Sequence, residues 1–346
     1  MNNKVLIAMS GGVDSSVAAY IMQKKGFECS GAIMELLDSS IKDNSDTSDA
    51  KAVCEKLGID FYVLDKRVEF NECVISSFVS AYENGATPNP CIECNRHLKF
   101  GSFLSVSEKL GIDHIATGHY ATIEKSGDRF YLKKGKDLTK DQSYVLYNLT
   151  QFQLSHTIFP LGDMTKDEIR EIATENKLIT ARKKDSQDIC FVPDGDYIAF
   201  IRNHTGKDYP SGNFVNLCGD VIGTHDGIIR YTVGQRKGLG CGFGEKMYVH
   251  SKNIASNEVV LSRNEDLFSN ALDAYDFNWI SFDKAPDKIK AHAKVRYSAK
   301  ETPCTVHALS DGEVHIEFDN PQRAIAKGQS VVLYDGDYVI GGGVIK

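Results

Sequence analysis

Long apolar runs are missing from this chain of 346 residues. Nothing in it approaches the roughly 18 consecutive apolar residues of a membrane helix, so no span is expected. The start, Met1-Asn2-Asn3-Lys4 followed by five apolar residues, is too short to read as a secretory signal peptide. Internal repeats and low-complexity tracts are also missing, which excludes collagen-like rods, coiled-coil rods and long disorder. Cysteine is not spaced as in a small secreted scaffold. Nine of them, an odd number, fit a reducing compartment, and a cytoplasmic protein is expected. Basic charge is not in excess either: 40 Lys+Arg against 47 Asp+Glu leave a net charge of −7, a total that argues against nucleic acid. What remains is an ordinary globular composition, 42% hydrophobic and 25% charged, on a length that implies two or three domains.

Short apolar runs alternate with helical patterns through the first half. Val5 to Met9 reads as a buried parallel strand, and Cys29 to Met34, Ile59 to Leu64 and His114 to Thr117 as further strands. Between and after them, Ser15 to Lys25, Asp49 to Leu57, Phe70 to Tyr82 and Leu98 to Leu110 carry helical spacing. This predicts a doubly wound α/β sheet with its ligand at the carboxyl ends of the strands. Thr165-Lys166-Asp167-Glu168 is a capping box that opens a helix to about Asn176. After Pro193 glycine becomes frequent and short β-type runs appear, Ile228 to Val233 and Met247 to Val249 among them. Further on, Ala291, Ala293, Val295 and Tyr297 alternate with Lys290, His292, Lys294 and Arg296. Val314, Ile316 and Phe318 alternate likewise, and Asp335-Gly336 suits a hairpin turn, so the end of the chain reads as a small β-barrel or sandwich.

The strongest motif is Ser10-Gly11-Gly12-Val13-Asp14-Ser15-Ser16, set between the first strand and the first helix. Two glycines let backbone wrap an anion, and the hydroxyls with the N–H groups of the helix start can donate to it. Asp14 could hold Mg²⁺ or cap the helix. The Gly-Lys-Ser/Thr ending of a Walker loop and the G-x-G-x-x-G spacing of a dinucleotide site are both absent. A plain Ser/Gly turn is the bland alternative, and the whole string on strand–turn–helix outweighs it. A second motif, Thr87-Pro88-Asn89-Pro90-Cys91-Ile92-Glu93-Cys94-Asn95, sets a Cys-x-x-Cys pair behind two prolines that stiffen a loop. Such a pair serves as a redox dithiol, half a zinc site or iron–sulfur ligands. The lack of a second Cys-x-x-Cys makes a four-cysteine zinc site improbable. A third, Lys183 to Phe191, puts Cys190 near Arg182, Lys183 and Lys184, which could lower its pKa. Alone, a cysteine before a phenylalanine is more often core.

The first string resembles the pyrophosphate loop of the N-type ATP pyrophosphatases, which split ATP between the α and β phosphates and adenylate an oxygen. S-G-G-V-D-S-S, T-P-N-P-C-x-x-C-N, A-T-G-H-Y, K-D-Q-S-Y, D-S-Q-D-I-C-F and Y-T-V-G-Q-R-K-G-L-G occur in this order. Together they resemble the bacterial tRNA-specific 2-thiouridylase family, from the first strand to Gly341-Gly342-Gly343. The resemblance implies a pyrophosphatase-loop domain over residues 1–200, a small central domain over 201–274 and a β-barrel over 275–346. It also implies adenylation of the 2-carbonyl oxygen of the wobble uridine, position 34 of tRNA, then sulfur transfer, giving 2-thiouridine, AMP and pyrophosphate. ATP contacts carry over to Ala8, Met9, Ser10, Gly11, Gly12, Val13, Asp14, Ser15, Met34 and Gly118, with Mg²⁺. The catalytic pair carries over to Cys94 and Cys190. Cys190 bears a persulfide from an upstream sulfur carrier or cysteine desulfurase, and Cys94 releases it through a Cys94–Cys190 disulfide or aids sulfide attack. With Cys91 also a thiol where some members have Asp, a second route is ligation of an iron–sulfur cluster by Cys91, Cys94 and Cys190.

Asn89, Pro90 and Cys91 would meet the flipped base, and His119, Lys140, Asp141, Gln142, Arg296, Tyr297 and Gln329 the tRNA. The acceptors implied are lysine, glutamate and glutamine tRNAs. Charge is segregated accordingly: residues 121–140 hold six Lys/Arg against three acidic groups, 284–300 six against one, and 35–60 three against seven. Competing readings are an adenylating enzyme for a small carboxylate or amide, a non-catalytic RNA-binding module, and a metal-cluster scaffold. The first would need neither separated basic segments nor two cysteine motifs.

Overall fold

The computed structural model describes residues 3–38, 45–184, 189–192, 195–240, 242–309 and 312–346. Asp185, Ser186, Gln187 and Asp188 of the third motif, and Pro193, lie outside the described residues.

The strand–helix alternation builds a parallel sheet. β1 (Lys4–Met9) is flanked on one side by β2 (Glu28–Glu35) and β3 (Asp60–Asp65). On the other side lie β4 (His114–Ala116) and β7 (Thr157–Ile158). β1 pairs with β2 from Lys4↔Glu28 to Met9↔Ile33 and with β4 from Val5↔His114 to Ile7↔Ala116. Val5, Leu6 and Ile7 are fully buried, as a central strand covered on both faces requires. The segments leaving β1 and β4 flank the point where strand order reverses, the usual crevice for a ligand. Helix α1 (Val13–Lys24) buries Val13, Val17, Ala18 and Met22, and α2 (Ser45–Leu57) buries Ala50, Val53 and Cys54.

Two helices differ from the sequence pattern. The one expected over Phe70 to Tyr82 runs unbroken through Arg67–Phe70, a π-helical Asn71–Ile75 and Ser76–Glu83. The one expected from Leu98 begins at Pro90, continues as a π-helical stretch over Cys94–Ser102 and ends with Phe103–Lys109. Pro90 takes the first helical turn, where no N–H is needed, and Asn89 caps it, its Oδ1 accepting from the Cys91 N–H at 3.2 Å. The Cys-x-x-Cys pair therefore sits on a helix start and not in a stiff loop.

The central unit holds helix Tyr197–Thr205 and a four-stranded sheet in the order β10 (Tyr248–Asn253), β11 (Glu258–Ser262), β8 (Gly212–Val215), β9 (Val221–His225). The run at Ile228, read as β, is a single 3₁₀ turn, Ile228–Arg230. Gly227 at φ 112° redirects the chain there and Ile229 is buried.

The last unit is a closed six-stranded barrel, which decides between barrel and sandwich. Its order is β12 (Phe268–Trp279), β15 (Val314–Arg323), β14 (Thr302–Ala308), β13 (Lys288–Lys294), β16 (Ser330–Asp335), β17 (Tyr338–Ile345), and β12–β17 pairing closes it. Ala291, Ala293, Val295, Val306, Ile316, Val331 and Leu333 fill it. Because β13 ends at Lys294, the alternation does not carry Tyr297 inward, and that residue is 43% exposed. The hairpin β5 (Ala121–Ser126) and β6 (Arg129–Lys134) from the first unit adds to the barrel through Tyr338↔Lys133.

The units share cores. One cluster unites Leu6, Phe100, Tyr144 and Tyr147 with Ile280, Val332, Tyr334 and Val339 of the barrel. Another unites Phe70, Phe78, Cys94, Leu98 and Phe191 with Ile201, Phe214 and Leu261 of the central unit. Among the described residues, no helix is long and apolar enough to cross a membrane. Ile316, fully buried in the barrel, should cost about 2–5 kcal/mol when cut to Ala. Urea unfolding measures this, and a loss under about 1 kcal/mol would mean the barrel interior is loosely filled.

Candidate functional site

The loop after β1 is built by backbone requirements. Gly11 sits at φ 68°, and a Cβ on it would lie 2.4 Å from the Asp46 carbonyl oxygen, so only glycine fits. Ser10 and Ser15 hydroxyls lie 3.1 Å apart, and the Ser10 N–H donates to Ser15 Oγ at 3.1 Å. Ser16 Oγ donates to the Gly12 carbonyl at 2.8 Å and accepts from Thr180 Oγ1 at 2.9 Å. No side chain caps α1, which leaves donors of its first turn for an anion. Gly118, just beyond β4, presses on the same backbone: a Cβ there would come within 3.0 Å of Asp14 C and Ser15 N. Ala8 and Met9 close β1 and Met34 lies at the end of β2, so the nucleotide residues inferred from sequence do converge on one strand-end crevice.

Asp14 is otherwise engaged than the sequence suggested. It caps nothing; its carboxylate takes Lys166 Nζ at 2.8 and 2.9 Å, and the Tyr120 hydroxyl donates to Oδ1 at 2.7 Å. A Mg²⁺ ion would fit this donor set only where Lys166 yields Asp14. Lys183 is bonded to Asp46 at 2.7 Å and Asp49 at 2.6 Å.

The two cysteine segments meet. Cys94 is buried in the core that also holds Phe191, the neighbour of Cys190, while Cys91 and Cys190 are exposed. Burial pushes the Cys94 thiol up to about 11; Lys99 pulls against this, and Cys190 and Cys91 are near enough for their charge to add to it. The eight described cysteines are thiols, none in a disulfide. Among the described residues no three His, Cys, Asp or Glu side chains converge to hold a metal, so the cysteines do not fit a cluster as placed. Lys99 also acts on His119, next to Gly118.

The residues inferred to contact tRNA divide. Asn89 and Pro90 shape the helix start, and Gln329 Nε2 donates to the Thr87 carbonyl at 2.7 Å, gripping that segment from the barrel. Tyr297 donates to the Asp141 carbonyl at 3.1 Å. Burial raises its phenol, with Asp141 and Cys91 adding and Lys140 opposing, so Tyr297 lies within electrostatic reach of all three. Arg296 is half-buried and close enough to act on Tyr144. Asp141 and Gln142 are structural as well: Asp141 Oδ1 accepts from Gly135 N–H at 3.0 Å, and Gln142 Oε1 from Tyr120 N–H at 3.0 Å. His119 is buried, its Nδ1 2.7 Å from Thr117 Oγ1, and burial holds it well below the usual histidine range, so it is a neutral group. The basic hairpin is largely paired: Lys133 with Glu124 at 2.9 Å, Lys134 with Glu301 at 2.7 Å, Lys136 with Glu168 at 2.8 Å. The Lys136–Glu168 pair is exposed and adds little stability, whereas Lys134 and Glu301 are mostly covered. The late Tyr231–Gly240 segment contributes Arg236 and Leu239 to an open groove of about 490 Å³ in the central unit.

Lys99, Tyr120 and Lys166 were missed by sequence reasoning. Lys166 stood in the capping box and Tyr120 in A-T-G-H-Y, but nothing in either string tells that both reach Asp14.

A glycine–serine loop at the switch point of a parallel sheet fits an ATP-utilising pyrophosphatase-loop enzyme. Family models match three stretches: a tRNA methyl transferase HUP domain over residues 3–194, a tRNA methyl transferase PRC-barrel domain over 198–263 and an aminomethyltransferase β-barrel domain over 269–345. The chain is 50% identical over 352 residues to the tRNA-specific 2-thiouridylase MnmA of Clostridium botulinum strain Alaska E43, covering 99% of this chain and 98% of the relative. It is 49% identical over 356 residues to that of Clostridioides difficile strain 630, covering 100% and 99%. To that of Clostridium acetobutylicum it is 46% identical over 355 residues, covering 100% of both. The chain belongs to the tRNA-specific 2-thiouridylase family. It is an ATP-binding tRNA sulfurtransferase that thiolates uridine.

The burial of Cys94 has a direct consequence for reactivity. A raised pKa means that thiolate is scarce near pH 8 and grows as pH climbs toward 11. Iodoacetamide should modify exposed Cys91 and Cys190 first, with Cys94 labelling still rising above pH 10. Peptide mass spectrometry reads this, and Cys94 labelling as fast as the other two at pH 8 would contradict its burial.

Proposed function

We propose that this chain makes 2-thiouridine at the wobble position, residue 34, of lysine, glutamate and glutamine tRNAs in the cytoplasm. The 2-carbonyl of uridine is a poor electrophile and oxide a poor leaving group. The carbonyl oxygen attacks the α phosphorus of ATP at the Ser10–Ser16 loop, pyrophosphate departs, and AMP becomes the group that sulfur later displaces. Bound at the phosphates, Mg²⁺ supplies charge neutralisation, drawing on Asp14. Ala8, Met9 and Met34 border the nucleoside at the strand ends, and Gly118 leaves room against the loop.

Sulfur arrives on Cys190 as a persulfide, from a sulfur carrier or cysteine desulfurase. Cys94 as thiolate attacks the Cys190 sulfur, a Cys94–Cys190 disulfide forms, and the released hydrosulfide attacks C2 of the adenylated uridine as AMP leaves. A dithiol reductant then restores both thiols. The single observation that supports this most is the location of Cys94, buried beside Phe191 and electrostatically in reach of Cys190. Exposed Cys91, with Tyr297 and Lys140 near it, forms the rim against which a flipped base and its phosphate would rest.

The test is thiolation in vitro with unmodified tRNA, ATP-Mg²⁺ and a persulfide donor, read as 2-thiouridine by nucleoside mass spectrometry. Cys190→Ser should abolish thiolation and keep tRNA-dependent pyrophosphate release. A wild type that yields no product with or without air would sink the reading, and loss of pyrophosphate release in Cys190→Ser would make that cysteine structural.

A further inference from the structure

We propose that Lys166 is the phosphate-facing cation that the nucleotide loop itself lacks; this rests on the ATP reading above. Between Lys4 and Lys24 the sequence has no lysine or arginine, so the loop brings no positive side chain of its own. The fold imports one across 152 positions. Lys166 is 8% exposed, and no other lysine or arginine among the described residues is as buried.

Its setting is specified from several directions. Thr165 and Glu168 form the capping box that fixes the start of helix Lys166–Glu175. Asp137 Oδ2 accepts from the Lys166 backbone N–H at 3.1 Å. Ile169 and Ala173 pack the helix against Val13, Val17 and Ala18 of α1. The ammonium reaches Asp14, with the Tyr120 ring 5.8 Å from it.

As a stability device the placement is poor. Asp14, in the first turn of α1, is already favoured by the positive end of that helix, whereas a lysine there is opposed by it. Taking a charge pair out of water also costs more than an apolar pair of the same shape. The arrangement makes sense once an anion joins it. A polyphosphate on the α1 N–H groups restores the balance: Lys166 turns from Asp14 to phosphate oxygen, and Asp14 is released to the accompanying divalent cation. Lys166 thus neutralises the pyrophosphate as it leaves, and Tyr120 keeps Asp14 oriented while its partner changes.

Four variants decide the matter: Lys166→Met, Lys166→Arg, Asp14→Asn and the double change Asp14→Asn with Lys166→Gln. ATP affinity is measured by calorimetry without tRNA, alongside the melting temperature, tRNA affinity and tRNA-dependent pyrophosphate release. Lys166→Met should weaken ATP about tenfold to a hundredfold, the value of one charge-assisted hydrogen bond, with tRNA affinity unchanged. Lys166→Arg should keep most of the affinity. The double variant, with no charge left unpaired, should regain the melting temperature but not ATP binding. ATP affinity within twofold of wild type in Lys166→Met, or restored in the double variant, would overturn the proposal and leave an ion pair of structural value only. A wild type that binds ATP yet releases no pyrophosphate with tRNA would overturn the reaction assigned above while leaving the Lys166 comparison decisive.

Discussion

The sealing of the first unit against the barrel is the contact on which the rest depends. Tyr144 donates to the Ser330 carbonyl at 2.8 Å, and the Tyr147 hydroxyl lies 3.1 Å from Ser330 Oγ. Asn278 Nδ2 donates to the Tyr147 and Leu149 carbonyls at 2.8 and 3.1 Å. These bonds satisfy polar groups inside a core that would otherwise be costly to bury. They hold the turn of Lys327 to Gln329 against Thr87, whose N–H donates to the Lys327 carbonyl at 2.8 Å. The helix of the first cysteine motif starts three residues later, at Pro90. A barrel set down elsewhere would leave that helix start without its grip.

A second seam does comparable work for the sulfur chemistry. Phe191 makes edge contacts with Phe70 and Phe78 at 5.6 and 5.2 Å between ring centroids, so Cys190 is anchored beside a fully buried ring although its own side chain is exposed. Cys94 lies on the inner side of the same cluster. One thiol faces the solvent, the other faces the core. On the function proposed above, that asymmetry would suit a relay better than a pair of equivalent thiols, the exposed member accepting sulfur and the buried one releasing it.

Much of this was legible in the residues. The parallel strands announced themselves as apolar runs, the loop by two glycines with hydroxyls on a strand–helix turn, and the barrel by alternation from Lys290 onward. The misses have physical causes. Pro90 looked like a loop breaker because proline opens a helix as readily as it ends one, and only the Asn89 cap decides which. The run at Ile228 has β-type side chains, but Gly227 and a shared aromatic core overrule propensity. Charge counting found the basic hairpin and could not know that Glu124, Glu301 and Glu168 would fold onto it. The hardest to foresee was Asp14: its partners Tyr120 and Lys166 lie 106 and 152 positions away, and no local pattern carries that information.

The glycine run near the carboxyl end has a consequence of another kind. A Cβ on Gly342 would stand 2.7 Å from the Tyr147 ring, and one on Gly343 2.8 Å from that of Phe277. The Tyr147 ring lies directly on bare barrel backbone, with no compressible layer between it and Gly342, while Phe277 lies on Gly343 within the barrel itself. Such a joint behaves as a rigid jig: the span from the barrel rim at Tyr297 to the helix start at Pro90 is set before any RNA arrives. On the function proposed above, bringing a base to the thiols would fall to the anticodon loop, which would have to unstack to meet a fixed gauge, and selectivity would follow from how cheaply each loop deforms.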